Sequence, residues 1–455
     1  MRKIYQYRNL ARIIIETKTP LAVGSGEKDM ITDQLVVRDA NSLPFIPGTA
    51  IAGIIRHALD IKKHDKSIFG FNESKDDKKK RNAGKQRKES IDEGSQIIFS
   101  SAYIVKQKGI VIDKLDLNVY EDEYLTHFKD LPIRQHVCIG TSGTSKKTGK
   151  FDEEVVYKGT RFCFEIELLS ETESRHILEN ILSELAKESL RIGGGTRKGF
   201  GEITIVEYKT KTLNLSIPKE LELYINKTSS LNDPFWRDQG IPKETANDDK
   251  IDSITLSLNA KDFMLIGSGI GSELADDTPI QENVVIWNDG YPQLKSFFVL
   301  PGTSIKGALA HRTDFYYRKE KGICLEDLFI SDEKPDIIDS LCESKKELFG
   351  SIEDATLPGN VFISDVFIKS SLLEIQPHVV IDAFTGGAVK GKLFQEQLLR
   401  ISEPIQILIQ IKKNNYSLYV REALDKALGD LKNGILPLGA ATNRGHGTFK
   451  IKNNK

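Results

Sequence analysis

Cysteine is scarce in this sequence, and long apolar runs are absent. The 455 residues include four cysteines and no Cys-x-x-Cys pair, which argues against a disulfide framework or a cysteine-built zinc site and fits a reducing cytoplasm. No apolar run approaches the roughly 20 residues that span a bilayer, and the basic start of the chain has only the short apolar stretch Ile13 to Ile15. We therefore expect a cytoplasmic protein with no membrane partner and no signal peptide.

A surplus of positive charge is also missing. Lys and Arg total 64 and Asp and Glu total 65, so the formal net charge is -1. This balance excludes a protein that coats nucleic acid through bulk charge, and any nucleic-acid contact must use local patches. Hydrophobic residues make up 39% of the chain, which is enough for buried cores, and the length suggests two or three domains.

The common catalytic signatures are absent or incomplete. The sequence has no His-Glu-x-x-His motif, and its eight histidines are scattered, so it does not indicate a histidine-built metal site. The segment from Gly143 to Lys150 resembles a P-loop, but five residues separate its glycines and Phe151 stands where Ser or Thr is needed. Nucleotide hydrolysis is therefore not expected.

An internal duplication organises the chain. The same landmarks follow one another in the same order in both halves, which makes coincidence improbable. The paired segments are 20–26 and 263–269, 46–53 and 300–307, 68–70 with 97–100 and 348–350 with 361–364, 136–139 and 378–381, and 193–201 and 439–447. The pattern predicts two homologous domains, residues 1–208 and 251–455, joined by a polar linker, residues 209–250.

Two irregular segments interrupt this plan. The linker contains Pro218, Pro234 and Pro242 and is either a spacer or an extended partner-binding segment. Residues 73–90 hold eight Lys or Arg, whereas the second half is much shorter at that point. This basic insertion is either a solvated disordered loop or an RNA-contacting loop.

Each half has the succession of elements expected of an α+β, ferredoxin-like (RRM-like) domain. Strands are predicted at 11–17 and 254–258, at 97–105 and 361–368, and at 202–208 and 448–452. Helices are predicted at 50–61 and 304–317, with Thr49 and Thr303 as N-caps, and at 173–190 and 420–431. The open sheet face of such a domain is a common RNA platform.

Two recurring motifs are candidate RNA contacts. The Pro-Gly-Thr turns place backbone amides and hydroxyls at a helix start, which suits a phosphate, and the glycine-rich loops combine close backbone approach with charge. The candidate residues are Gly48, Thr49, Arg56, Gly195, Thr196, Arg197, Lys198, Gly302, Thr303, Ser304, Lys306, Arg312, Thr442, Asn443, Arg444 and His446. A capped turn and a tight helix-to-strand connection with exposed cations are the competing interpretations.

These motifs resemble the RAMP superfamily of CRISPR effector subunits, specifically the backbone type of type III complexes in a fused double form. The resemblance lies in residues 33–39, 43–49 and 193–201 of the first half and in 300–307, 349–350, 363–365 and 439–447 of the second. It implies tandem ferredoxin-like domains with β-hairpin thumbs, for which the candidates are 137–156 and 379–394. It also implies binding to guide CRISPR RNA, complementary target RNA and other type III effector subunits.

The resemblance further implies a site of target-RNA cleavage. Asp33 falls at the position of the aspartate that cuts the target in cleaving members, where a carboxylate helps to activate a 2′-hydroxyl or holds a divalent metal, here expected to be Mg²⁺. No cofactor is expected for folding. In the second half, counting back from Asp289 leads to Asn283, and the available acids include Asp276 and Asp277, so this half either has a second active site there or only binds RNA.

Three alternatives remain open from the sequence. The chain is a non-catalytic RNA-binding scaffold of the same complex, a guide-processing endoribonuclease of the same superfamily, or a ferredoxin-like protein that binds a small molecule. The duplication argues against the guide-processing nuclease, which usually has a catalytic His and a single terminal glycine-rich loop. The paired basic loops would have no role in a small-molecule-binding protein.

Overall fold

The structure, a computed structural model, describes residues 4–30, 32–59, 66–70, 94–139, 145–236, 248–322, 347–350, 359–369, 371–413 and 416–451. The basic insertion, residues 73–90, lies outside the described residues, as do Cys324 and Cys342. Within them the architecture is mixed α+β with antiparallel sheets, which confirms this part of the prediction. None of the described helices is both long enough and apolar enough to cross a membrane.

The first half contains four helices and seven strands in the described residues. They are β1 (Tyr7–Thr17), α1 (Gly48–Ala58), α2 (Lys66–Phe69), β2 (Ile97–Phe99), β3 (Tyr103–Ile104), α3 (Glu123–Thr126), β4 (Ile133–Ile139), β5 (Ser145–Glu154), β6 (Arg161–Ser170), α4 (Arg175–Leu185) and β7 (Ile203–Asn214). β7 thus continues past residue 208, where the first domain was predicted to end.

A linking helix and the second half follow. The elements are α5 (Pro218–Asn226), β8 (Ile251–Ala260), β9 (Gln281–Asn288), β10 (Tyr291–Leu300), α6 (Gly302–Lys321), β11 (Val361–Ile363), β12 (Val366–Ile368), β13 (Ser371–Ile381), β14 (Ala388–Ile401), β15 (Ile405–Lys412), α7 (Leu418–Asn433) and β16 (Phe449–Ile451). Most predicted strands and helices are present, with ends that differ by a few residues.

The main sheets of the two halves have the same strand order. In the first sheet the order is β2-β6-β1-β7, and in the second it is β11-β15-β8-β16, with every pairing antiparallel. Each order places the first strand of its half in the centre, between the third and fourth of the four main strands. Ile13 and Ile15 of β1 lie on one face of the first sheet and belong to the same buried core as Ile181 and Leu185 of α4.

The Pro-Gly-Thr turns start helices without a threonine cap, so the predicted N-caps Thr49 and Thr303 are wrong. α1 and α6 begin at Gly48 and Gly302, and neither has a capping hydrogen bond from its N-cap side chain. Glycine is needed for close packing: a Cβ on Gly48 would lie 2.4 Å from the Phe99 carbonyl oxygen, and one on Gly302 2.1 Å from a carbonyl oxygen of β11.

The linker covers the outer face of the first sheet, so the prediction of an open RNA platform is wrong for this half. Arg12 of β1 donates from Nε to the Leu231 carbonyl oxygen at 2.8 Å. On the neighbouring strand, Glu165 accepts hydrogen bonds from Lys227 at 2.7 Å and from the Trp236 indole at 2.5 Å. Leu231 and Trp236 are buried, and their burial holds the linker against the sheet.

A hairpin of the second half, β9–β10, packs against the first half. Val285 is buried in the core of the first half. Trp287 donates its indole N–H to the Gly159 carbonyl oxygen at 2.8 Å, and its ring lies 4.0 Å from the guanidinium carbon of Arg161. The corresponding loop of the first half, residues 39–47, is shorter.

A buried ion-pair network joins the halves at the base of the β4–β5 hairpin. Arg134 of β4 is only 2% exposed, donates to both carboxylate oxygens of Glu282 on β9, and donates to Asp365 at 2.8 Å. Asp365 also accepts the backbone N–H of Gly302, the first residue of α6, at 2.7 Å. One carboxylate therefore fixes both a hairpin of the first half and a helix of the second.

We expect Arg134→Met to lower the free energy of unfolding by about 3–5 kcal/mol, because Glu282 and Asp365 would remain buried without a counter-charge. Urea denaturation followed by tryptophan fluorescence measures this loss. The control is Arg175→Ala, which removes an exposed ion pair with Glu179 and should cost about 0.5 kcal/mol or less. Equal losses for the two variants would contradict the proposed role of Arg134.

Candidate RNA-contact and cleavage sites

Each half carries a β-hairpin at the place predicted for a thumb. The hairpins are β4–β5 and β13–β14, and they begin four and eight residues before the predicted ranges 137–156 and 379–394; the second also ends seven residues later than predicted. Residues 140–144, which separate β4 from β5 in the chain, lie outside the described residues. The turn of the second hairpin exposes Phe384 almost completely, at 97%.

The two hairpins expose the same apolar pattern. Ile133, Val137 and Ile139 of β4 are 46%, 52% and 52% exposed. The same residue types recur 242 positions later on β13, as Ile375, Val379 and Ile381. Their exposed fractions are 41%, 48% and 54%. Large aliphatic side chains at alternating positions make one face of each hairpin apolar, and the repetition of exposed apolar patches indicates a contact surface.

Asp33 lies at the base of the first hairpin with its side chain exposed. Its backbone N–H donates to the Asp152 carbonyl oxygen at 3.1 Å, and its Oδ2 accepts the backbone N–H of Asp152 at 3.0 Å. This pair of bonds ties the loop that contains Asp33 to β5. The carboxylate is therefore held beside the hairpin while its second oxygen makes no hydrogen bond to another described residue.

Asp276 occupies the equivalent position in the second half. Its N–H donates to the Gln395 carbonyl oxygen at 2.8 Å, and its Oδ2 accepts the Gln395 N–H at 2.7 Å. Asp276 lies 243 positions after Asp33, and Gln395 lies 243 positions after Asp152. Counting from Asp289 was wrong because Asp289, with a φ of 49°, lies in the turn of the β9–β10 hairpin, which follows this loop.

Asp277 corresponds instead to Gln34 of the first half. The two residues make equivalent parallel bridges, to Glu396 and Glu153 respectively. Asp277 is half-buried, and a Cβ on Gly267 would lie 2.7 Å from its carboxylate oxygens. Burial, and next the nearby charge of Glu396, raise the pKa of Asp277. Of the two predicted acids in this half, Asp276 is thus the one that matches Asp33 in geometry.

A cluster of four side chains recurs beside each aspartate. In the first half, the His136 ring stacks on Phe151 with centroids 4.9 Å apart, and its Nε2 lies 2.6 Å from Glu153. Lys198 of the glycine-rich loop donates to both oxygens of Glu153 at 2.9 Å. Burial opposes ionisation of Glu153, but hydrogen bonds from His136 and Lys198 prevail and lower its pKa.

The second cluster has the same arrangement. His378 stacks on Phe394 with centroids 5.0 Å apart, and its Nε2 lies 3.2 Å from Glu396. Arg444 donates to Glu396 at 2.5 Å. In each half the cluster joins the hairpin to the glycine-rich loop. The sequence marked both histidines as repeat landmarks but gave no sign of their glutamate partners, because those lie on the opposite strand.

The first glycine-rich loop is packed against the second half. Arg197 donates from Nε to the Gly359 carbonyl oxygen at 2.9 Å, and Lys306 of α6 donates to the Arg197 carbonyl oxygen at 2.9 Å. A Cβ on Gly199 would lie 2.3 Å from the Ile363 carbonyl oxygen. Gly195 takes a positive φ of 63°, and Thr196 is half-buried. These predicted RNA-binding residues therefore also form the interface between the halves.

The second glycine-rich loop is largely exposed. Thr442, Asn443 and Arg444 are exposed, whereas His446 is buried with its ring centroid 6.3 Å from that of Phe263. The loop keeps the backbone of the first: a 3₁₀ turn between two residues of positive φ, Ala441 and Gly445 in place of Gly195 and Gly199.

The cationic residues of α1 and α6 have different surroundings. Arg56 is exposed and makes no ion pair with another described residue. Arg312 pairs with Asp430 of α7, and its guanidinium carbon lies 4.8 Å from the Phe315 ring centroid. At the start of these helices Thr49 and Ser304 are exposed and Thr303 is half-buried. Arg56 is thus placed to meet a ligand, whereas Arg312 also joins two helices.

Lys306 should make stability depend on pH. Burial, and next the charge of Arg197, lower the pKa of Lys306 to about 8, whereas an unfolded lysine titrates at about 10.4. Between these values the unfolded chain binds more protons, so the free energy of unfolding should rise with pH. Below pH 8 both states are protonated and this residue contributes no slope. We expect the rise to disappear in Lys306→Met, measured by urea denaturation at several pH values; parallel curves would contradict the assignment.

Comparison with known proteins identifies the kind of chain. A family model described as RAMPs, the RAMP superfamily, matches residues 14–204 and 290–450, which together are more than half of the chain. A search of the curated proteins found no match. The two matched regions contain Asp33 with its hairpin, both His–Glu clusters and both glycine-rich loops. Asp276 lies outside them, although its partner Gln395 lies within the second region.

Proposed function

Because the chain belongs to the RAMP superfamily of CRISPR-associated RNA-binding proteins, we propose that it is a backbone subunit of a type III effector ribonucleoprotein. In this role it binds guide CRISPR RNA along both halves and presents complementary target RNA for cleavage. Guide binding uses mainly phosphate and sugar contacts, because the guide sequence must be free to vary.

The proposal includes two tandem ferredoxin-like domains. Its support is the common strand order of the two sheets, in which the first strand lies between the third and the fourth. The helices α1 and α4 of the first half have counterparts in α6 and α7 of the second. The hairpins β4–β5 and β13–β14 are inserted at the same point of each domain, before the third main strand.

The observation that carries the cleavage proposal is the repeated pairing of an exposed aspartate with a hairpin. Asp33 with Asp152, and Asp276 with Gln395, make the same two hydrogen bonds: the aspartate N–H donates to the partner's carbonyl oxygen, and the partner's N–H donates to the aspartate Oδ2. Each carboxylate is thereby fixed beside a surface that exposes apolar side chains. A nucleotide unstacked against such a face leaves the regular helix, which permits in-line geometry at its phosphate.

In this mechanism the aspartate acts as a general base on the target RNA. The carboxylate of Asp33, or of Asp276, accepts the proton of the 2′-hydroxyl as its oxygen attacks the adjacent phosphorus. The bond from phosphorus to the 5′-oxygen breaks, and that oxygen takes a proton from water. The products carry a 2′,3′-cyclic phosphate and a 5′-hydroxyl. The protonated aspartate then returns its proton to the hydroxide left by that water, so atoms and charge balance and no water is consumed.

A divalent metal, proposed to be Mg²⁺, fits this site as an ion shared with RNA. The described residues contain no group of three His, Cys, Asp or Glu side chains that could hold a metal by themselves. Mg²⁺ usually keeps several waters and uses one or two carboxylates plus substrate phosphates. Asp33 would be its protein ligand, together with Asp152, whose buried Oδ1 has no hydrogen-bond partner among the described residues. When bound, the ion would neutralise charge that develops on the phosphate.

We expect Asp33→Asn and Asp276→Asn each to remove a different subset of target cuts, with a loss of about 100-fold or more at the affected positions. The double variant should cut nowhere in this subunit yet still hold guide RNA. Fragment lengths from the reconstituted complex, with and without EDTA, measure this. The control Asp289→Asn changes the residue in the hairpin turn and should leave every fragment in place.

An unchanged fragment pattern in the double variant would overturn the catalytic assignment and favour a non-catalytic scaffold. Cleavage of a precursor repeat by the isolated chain would instead favour a guide-processing endoribonuclease. The two results are distinguished by their substrates, which are target RNA in the first case and a precursor repeat in the second.

We expect Arg56→Gln to weaken guide-RNA binding and Arg312→Gln to affect mainly stability. Removing one phosphate contact lowers the slope of log affinity against log salt concentration by about one. Arg312 instead holds α6 to α7 through Asp430. Filter binding at several salt concentrations, with thermal unfolding of both variants, separates the effects. An unchanged salt slope for Arg56→Gln would show that this residue does not meet RNA.

A further inference from the structure

The second glycine-rich loop has the conformation of the docked first loop, but among the described residues no other domain packs against its Gly445. In the first loop, Gly199 with a φ of 103° lies against the Ile363 carbonyl oxygen of the other half. Its counterpart Gly445 has a φ of 94°, yet a Cβ on it would meet no described atom within 4 Å. The backbone shape is therefore the same in the loop that packs against the other half and in the loop whose Gly445 has no described neighbour.

The face that receives the first loop is formed by the start of α6 and the strand β11. Lys306 donates to the Arg197 carbonyl oxygen, and the Gly359 carbonyl accepts from Arg197 Nε. Asn443 occupies the position of Arg197 in the second loop. Its backbone carbonyl oxygen can accept from a lysine placed like Lys306, and its side-chain amide can donate to a carbonyl placed like that of Gly359. Unlike Arg197, which lowers the pKa of Lys306 through its charge, Asn443 would not repel such a lysine.

We propose that residues 442–445 dock against a neighbouring protein domain that has a lysine five positions after the proline of its own Pro-Gly helix start. The first half of this chain has a similar face, but Ala52 stands where Lys306 stands in the second half. A second copy of the chain would leave the Asn443 carbonyl without that donor. The favoured occupant is therefore a different subunit.

This inference deepens the proposed place of the chain in a multisubunit complex and rests on that part of the proposed function. It does not depend on RNA cleavage, and failure of the cleavage variants would leave it untouched. RNA contact through the same loop is the competing possibility, and the first experiment decides between the two.

The first test places the photo-crosslinker p-benzoylphenylalanine at position 443 in the assembled ribonucleoprotein, with position 222 on the exposed surface of α5 as the control. We expect a crosslink from position 443 to a peptide of a different chain that contains a Pro-Gly helix start followed by the lysine, identified by mass spectrometry. A crosslink to nucleotide, a crosslink to the Ala52 region of a second copy, or no crosslink would each overturn the proposal.

The second test creates the missing lysine in the chain itself. Purified RNA-free protein should sediment as a monomer, whereas Ala52→Lys should self-associate roughly tenfold more tightly, or better, than Ala52→Met. Adding Gly445→Ala, or Gly445→Ser if the first does not fold, should restore the monomer, because a Cβ on the matching Gly199 would lie 2.3 Å from the facing carbonyl oxygen. Three results for the Ala52 variants would overturn the lysine requirement: no self-association of Ala52→Lys, equal association of the Lys and Met variants, or association that survives the change at Gly445. Dimers of the unchanged chain through this loop would overturn it as well.

Discussion

The structure depends on the pairing of one buried cation, Arg134, with two carboxylates of the other half. A charge removed from water is tolerated only with close counter-charges and hydrogen bonds, and Glu282 with Asp365 supplies both. Since Arg134 lies on the first hairpin and Asp365 binds the first residue of α6, this network fixes the hairpin relative to the second half.

The two halves repeat one design but use it differently. In the first half the linker covers the outer sheet face and the glycine-rich loop is packed against the second half. The second half supplies the β9–β10 hairpin, which has no counterpart of the same length in the first. The two halves thus have similar glycine-rich loops, of which the first forms an internal interface and the second is exposed within the described residues.

The aspartate, the hairpin and the glycine-rich loop of each half are mechanically connected. Backbone bonds tie Asp33 to β5, and Glu153 of the same strand is bound by His136 and by Lys198 of the loop. The second half has the same connections through Asp276 and Glu396. A ligand that orders one of these elements will therefore restrict the other two, which suits the proposed role of holding RNA in a fixed geometry.

The sequence by itself determined the repeat and the order of strands and helices, because these follow from local periodicity and from short motifs that recur. By resemblance it also predicted the two hairpins and a role for Asp33. Only the tertiary structure decided that Asp276 is its counterpart and that Arg197 and Lys306 meet. The same is true of the linker, which closes the first sheet. Such contacts join residues far apart in the chain, and neither spacing nor composition records which distant surfaces pack together.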